Sequence, residues 1–327
     1  MRNIFRMKSI FILPLLLAVA ACNEKKPAPV AYESPAPDFC EDSAYAYVEA
    51  QCAFGPRVMN SAAHDSCGDW IAEKFESFGA VVTNQYADAV LYDGTPVKMR
   101  NIIASCRPAA PARIIISGHW DSRPWADNDP DASLHDTPID GANDGASAIG
   151  VMLELARQIS MAGDSADIAV GVDFICWDAE DSGMSGGENS ASWCLGSQYW
   201  SGKRHVDGYT ARYGINLDMV GGENTVFCRE QFSLAYAPAI VDKVGAAAQR
   251  IGLGKYFPYD EDGGAVTDDH LQVIQGGILC IDVIGSDKDD GGFPATWHTV
   301  NDNMDHISKS TLKAVGQTMM EVIWTER

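Results

Sequence analysis

Six short polar stretches interrupt an otherwise apolar alternation, and each carries residues able to bind metal or move a proton. They are His119-Trp120-Asp121, Asn143-Asp144, Asp178-Ala179-Glu180-Asp181, Asn216-Leu217-Asp218, Asp268-Asp269-His270 and Trp297-His298-Thr299. Alone, each has an ordinary explanation. A lone histidine is usually packed in a core, a strand-end aspartate caps or pairs, and Asp144, at a helix start, could be an N-cap. Together they make coincidence a poor account. Histidine and carboxylate donors without thiolates fit a catalytic zinc with one open position. On a strand, positions i and i+2 face the same way, so His119 and Asp121 share a site.

The intervening segments must position these groups. Arg113–Gly118, Ile168–Trp177, Tyr213–Val220 and Gly277–Ile284 are short apolar runs, as expected of buried strands. Val81–Thr83 and Asn101–Ala104 read as further strands. Helices are expected at about 42–53 and 62–78, at Ala146–Ser160 and Ala239–Ile251, and at Ser310–Trp324. This alternation predicts an α/β fold: a single globular domain with a central mixed, mostly parallel β-sheet flanked by helices. In such sheets a ligand site gathers beyond the strand C-terminal ends. Nearly all the polar stretches follow strands.

The chain has 327 residues, 46% hydrophobic and 21% charged, enough to build a substantial core. Acids outnumber bases 45 to 24, for a formal charge of −21, which argues against a nucleic-acid partner. Arg2, Arg6 and Lys8 precede an apolar run, Ile10–Ala21, too short for a membrane span and right for a signal segment. Val19-Ala20-Ala21-Cys22 looks like a bacterial lipobox, so residues 1–21 are expected to be a lipoprotein signal peptide. Residues 22–39 would then be a lipidated cysteine and a Pro-rich tether, and 40–327 the folded domain. Membrane attachment is expected through lipid on Cys22 only, with the protein exported to the periplasm or cell envelope. An exported chain is free to form disulfides, although Cys176 and Cys280 sit in apolar runs that suit buried thiols.

The ordered motifs His119-Trp120-Asp121-Ser122, Gly141-Ala142-Asn143-Asp144, Asp178–Asp181, Asn216–Asp218 and Trp297–Thr299 resemble those of the zinc aminopeptidase-like M28 superfamily. Phe293-Pro294-Ala295-Thr296-Trp297-His298-Thr299 and Thr267–His270 resemble its glutaminyl-peptide cyclotransferases of the bacterial lipoprotein type. The resemblance implies one zinc per chain on Asp144, Asp181 and His298. It implies Glu180 as general base and acid, with Asp218 and Asp268 as hydrogen-bonding carboxylates beside it. Trp297 and Phe293 would bind substrate. The implied reaction is closure of N-terminal glutamine of peptides or proteins to pyroglutamate with release of ammonia. His119 and Asp218 also match the extra ligands of two-zinc M28-type aminopeptidases, which is the alternative. Two departures stand out: animal-type cyclases have Glu at the position of Asp181 and histidine at that of Asp282.

Asp127-Asn128-Asp129-Pro130-Asp131 opens like a calcium loop, but Ala132 and Pro138 occupy positions where such a loop needs Gly and Glu. It reads as a polar loop at the site rim. Gly- and Ser-rich residues 182–193 read as a mobile loop at the pocket edge.

Overall fold

Three consecutive isoleucines show how the sheet is covered. Ile114 and Ile116 face one apolar layer, while Ile115 faces another. Period-2 alternation with both faces apolar requires cover on both sides. A computed structural model describes residues 32–163, 166–186, 189–261 and 263–327. The signal segment, Cys22 and most of the tether lie outside the described residues.

Eight strands are described: β1 Val81–Val90, β2 Pro96–Cys106, β3 Arg113–His119, β4 Gly171–Trp177, β5 Gly214–Asp218, β6 Thr225–Val226, β7 Cys280–Ile284 and β8 Ser286–Asp287. Six form one sheet in the order β1-β2-β4-β3-β5-β7. The pairs β4–β3, β3–β5 and β5–β7 are parallel, and β1–β2 and β2–β4 antiparallel. The fold is thus the expected mixed, mostly parallel sheet in a single α/β domain. β6 and β8 pair separately.

The helices are α1 Glu41–Cys52, α2 Ala62–Ser77, α3 Ala146–Ala162, α4 Leu195–Gly202, α5 Gln231–Tyr236, α6 Pro238–Arg250, α7 Asp269–Gln275 and α8 Lys309–Thr325. The larger core joins α1, α2, α3, α6 and α8 to one sheet face through Val48, Phe75, Leu153, Ala247 and Val315. On the other face Trp200 of α4 and Val273 of α7 pack on Ile115, Ile175 and Trp177.

The structure adds to the sequence expectation at the first hairpin, at the N-terminal segment and at the cysteines. β1 and β2 run much further than the short strands expected, as a hairpin whose outer edge is polar and so lacks an apolar signal. Within the segment read as a tether, two residues are anchored to the domain: Phe39 is fully buried, its N–H donates to Gln317 Oε1 at 2.7 Å, and Ser34 Oγ donates to Glu321 at 2.6 Å. All eight described cysteines are free thiols, as expected for Cys176 and Cys280, and the pairing left open for the others is absent among the described residues.

Candidate active site and metal centre

β3, β4 and β5 end side by side, and their ends deliver His119, the Asp178–Asp181 turn and Asp218. α3 begins against the end of β3. That approach needs Gly145, whose φ is +92° and where a Cβ would lie 2.7 Å from Asp121 O. Gly145 is the N-cap residue, so Asp144 does not cap α3. Its carboxylate instead divides between two histidines: Oδ1 lies 2.8 Å from His119 Nε2 and Oδ2 lies 3.6 Å from His298 Nε2.

Two groups of potential ligands share Asp144. One is Asp144, Asp181 and His298; the other is His119, Asp144 and Asp218. Asp181 Oδ1 lies 3.2 Å from His298 Nε2. Arg123 Nη1 approaches the same oxygen at 3.3 Å, while Asp181 Oδ2 is buried without a hydrogen-bond partner. A carboxylate with one oxygen orphaned, grouped with a histidine and a second carboxylate, is the environment a divalent cation satisfies. The residues therefore fit zinc.

Glu180 and Asp181 are neighbours, yet both reach the site because the chain turns after β4. Ala179 takes φ +51°. Asp121 holds the turn, its Oδ1 accepting from Glu180 N and its Oδ2 from Asp181 N, each at 3.1 Å. Asp302 does the same for Asp144, accepting from Asn143 N at 2.7 Å and Asp144 N at 3.0 Å.

A cavity of about 540 Å³ opens here, lined by Asp144, Glu180, Asp181, Asp218 and Asp268, with Trp193, Phe293 and Trp297 on its wall. Trp297 stacks on His298 with ring centroids 3.8 Å apart, and Phe293 packs on Trp297 at 4.5 Å. Trp193 lies parallel to the His298 ring at 6.1 Å. Asp268 caps α7 through Oδ1 and accepts from Asn216 Nδ2 at 2.9 Å through Oδ2. Asn216 also reaches Asp282 at 3.4 Å, so Asp282 stands behind Asp268 and not in the cavity.

Burial pushes Glu180 well above the usual carboxyl range; His119 opposes this, while Asp181, Asp268 and Asp269 add to it. Burial raises Asp218 to about 7, with His119 opposing. For His119, burial favours the neutral ring, but Asp121, Asp144 and Asp218 outweigh it and hold the imidazole well above its ordinary value.

The sequence reading missed Arg123, Asp302 and Cys194. Arg123 bridges Asp127 with two 2.7 Å contacts and reaches Gly183 O and Ser185 Oγ. The described part of the 182–193 loop is pinned. Ser192 Oγ accepts from Met184 N, Trp193 Nε1 donates to Met184 O, and Trp193 fills the space beside Gly183. The 127–131 stretch is committed internally: Asp131 accepts from Ser133 N, and Asp129 accepts from Asp131 N and Val300 N.

The sequence model of Peptidase family M28 matches residues 101–323. The chain belongs to this family. Its M28 relatives of known structure include a glutaminyl cyclase from Bacteroides thetaiotaomicron, solved bound to N-acetylhistamine. It is 54% identical, with a TM-score of 0.85, over 89% of this chain and 100% of that one. A leucine aminopeptidase precursor from the same bacterium is 53% identical with a TM-score of 0.85, over 90% and 100% of the two chains. The glutaminyl-peptide cyclotransferase of Bos taurus is 24% identical over 238 residues, which is 65% of this chain and 62% of that protein's length.

Proposed function

We propose that this M28 chain is a zinc-dependent glutaminyl-peptide cyclotransferase, converting N-terminal glutamine of peptides and proteins to pyroglutamate and ammonia. The observation that carries it is the placement of Glu180 beside the Asp144, Asp181 and His298 group, in one small cavity walled by Trp297 and Phe293. Similarity to glutaminyl cyclases of known structure supports the same reading.

The reaction is intramolecular, so proximity is largely supplied by the substrate. The difficulties are a poor electrophile, a proton on the attacking amine and ammonia as leaving group. Zinc, when held by Asp144, Asp181 and His298, supplies a Lewis acid for the γ-carbonyl oxygen. Glu180 accepts a proton from the α-amine as its nitrogen bonds to the γ-carbon. It returns that proton to the amide nitrogen as the carbon–nitrogen bond breaks. Its raised proton affinity suits both halves of this cycle. Asp218 and Asp268 offer acceptors to the amine. Trp297 and Phe293 hold the aliphatic part of glutamine and keep out the water that would hydrolyse it.

One zinc per chain is the stoichiometry we favour, because His119 takes Asp144 Oδ1 and leaves Oδ2 to the His298 side. The shared use of Asp144 by a second group, with His119 and Asp218, keeps the two-zinc aminopeptidase as the specific rival. Purified protein incubated with a Gln-initiated fluorogenic peptide and, separately, with an aminoacyl-arylamide decides between them. Cyclisation without arylamide release is expected; arylamide release alone would reverse the assignment. We further propose export as a lipoprotein anchored at Cys22. The full chain is expected to partition into detergent and Cys22→Ala into the aqueous phase.

A further inference from the structure

Among the described residues the Glu180 carboxyl makes one hydrogen bond, and its donor is a thiol: Cys194 Sγ lies 3.3 Å from Glu180 Oε1. The backbone sets this contact. Cys194 N donates to Glu180 O at 3.1 Å, Leu195 N to Ala179 O at 3.1 Å and Gly196 N to Asp178 O at 2.9 Å, closing the segment onto the catalytic turn. Gly196 allows that approach, since a Cβ there would lie 2.3 Å from Asp178 O. Cys194 itself is left-handed, with φ +59°, a conformation disfavoured for a residue with a Cβ. The strained residue is fully buried and its side chain reaches Glu180 from behind the cavity wall. Burial, then the carboxylates of Glu180, Asp269 and Asp268, push the thiol well above its ordinary pKa, so it remains a donor.

We propose that Cys194 is a positioning residue for the proton carrier: its S–H fixes Glu180 Oε1 and leaves Oε2 to face the substrate amine. A thiol donates weakly. It restrains the carboxyl rotamer without competing strongly for the lone pairs that must accept a proton.

The proposal rests on the cyclotransferase reading, in which Glu180 carries the proton. The test measures Gln-peptide kinetics, zinc content and melting temperature for wild type, Cys194→Ala and Cys194→Ser. Both variants lose the sulfur and keep the left-handed backbone, so they differ only in the donor. Cys194→Ala is expected to lower kcat about tenfold, the worth of one hydrogen bond, with KM within about twofold. Cys194→Ser is expected to regain most of that loss, with zinc content equal in all three. Wild-type kcat in the alanine variant, or equal losses in both variants, overturns the proposal. A wild type that leaves Gln-peptides unchanged overturns the cyclotransferase reading instead. The contact is then read in the infrared, as it is if the variants misfold. One S–H stretch in wild type is expected to move when Glu180→Gln alters its acceptor, and an unmoved spectrum overturns the contact.

Discussion

At the scale of residues, the decisive pair is Glu180 and Asp181, adjacent in sequence and assigned different roles in the reaction we propose. Asp181 has one oxygen shared with Arg123 and His298 and the other without a partner, which suits a ligand. Glu180 has a longer side chain and lines the cavity. Glu180→Gln keeps the shape and removes the proton carrier, so kcat is expected to fall roughly 10²–10⁴-fold with zinc retained. Asp181→Asn is expected to lose zinc first, measured by elemental analysis after dialysis. The reverse pattern would exchange the two roles. Trp297→Ala removes the ring that covers both His298 and the substrate space. Loss of kcat/KM corresponding to about 2–4 kcal/mol is expected, and unchanged kcat/KM would make the ring simple packing. His119, Asp144, Glu180, Asp181, Asp218, Asp268, Trp297 and His298 were legible in the sequence because their types are chemically marked and they follow apolar runs. Arg123, Asp302 and Cys194 were not. Their significance comes from the groups they meet, 58 residues away for Arg123 with Asp181 and 158 for Asp302 with Asp144.

At the scale of elements, the site is built from short turns held in costly conformations. Ala179, Cys194, Met219 and His298 all have positive φ, between +50° and +59°, and each is at or beside a functional residue. Such residues cost of order 1–3 kcal/mol each and persist where surrounding contacts fix them. Around Ala179 and Cys194, Asp121 and the 194–196 segment supply those contacts. The buried strands and long helices were legible because apolar period decides them. α4 and α5 were not, being short helices with Gly, Ser or Tyr in place of a clear apolar stripe. α5 is held by Glu230, whose carboxylate accepts from Phe232 N at 2.8 Å and Ser233 N at 2.6 Å, while His270 lies 3.4 Å away. Burial opposes ionisation of Glu230, but His270 and these N–H groups win and lower its pKa from 4.5 to about 2. A lowered carboxyl pKa contributes stability that is present above the unfolded value and is lost as pH falls through the folded one. Denaturant titrations are therefore expected to show stability falling between pH 4.5 and about 2. Glu230→Gln is expected to flatten that part of the curve; an unchanged slope would remove Glu230 as its source.

At the scale of the molecule, the fold gathers negative charge where burial makes it most expensive. The chain carries a formal charge of −21, and Asp144, Glu180, Asp181, Asp218, Asp268, Asp269 and Asp282 are all nearly or fully buried at or behind one cavity. His119 and Arg123 offset part of this. The remainder is met by protonation or by a cation, and the orphaned Asp181 Oδ2, beside Asp144 and His298, marks where a cation fits. Zinc that binds the folded chain and not the unfolded one raises stability by mass action, about 2.7 kcal/mol at a hundredfold excess over Kd. A chelator is expected to lower the melting temperature, and stoichiometric zinc to restore it. The same titration counts the sites. If the His119 and Asp218 carboxylate group stays paired within the protein, stability and activity recover together at one equivalent. A second equivalent that raises both further would show a second functional site, for which His119, Asp144 and Asp218 are the candidate ligands, and the aminopeptidase reading would then gain over the cyclotransferase. Asp218→Asn separates these outcomes. In the one-zinc enzyme it is expected to reduce kcat while leaving the restoring stoichiometry and the melting temperature of the zinc-loaded chain in place, because Asp218 then touches substrate and not metal.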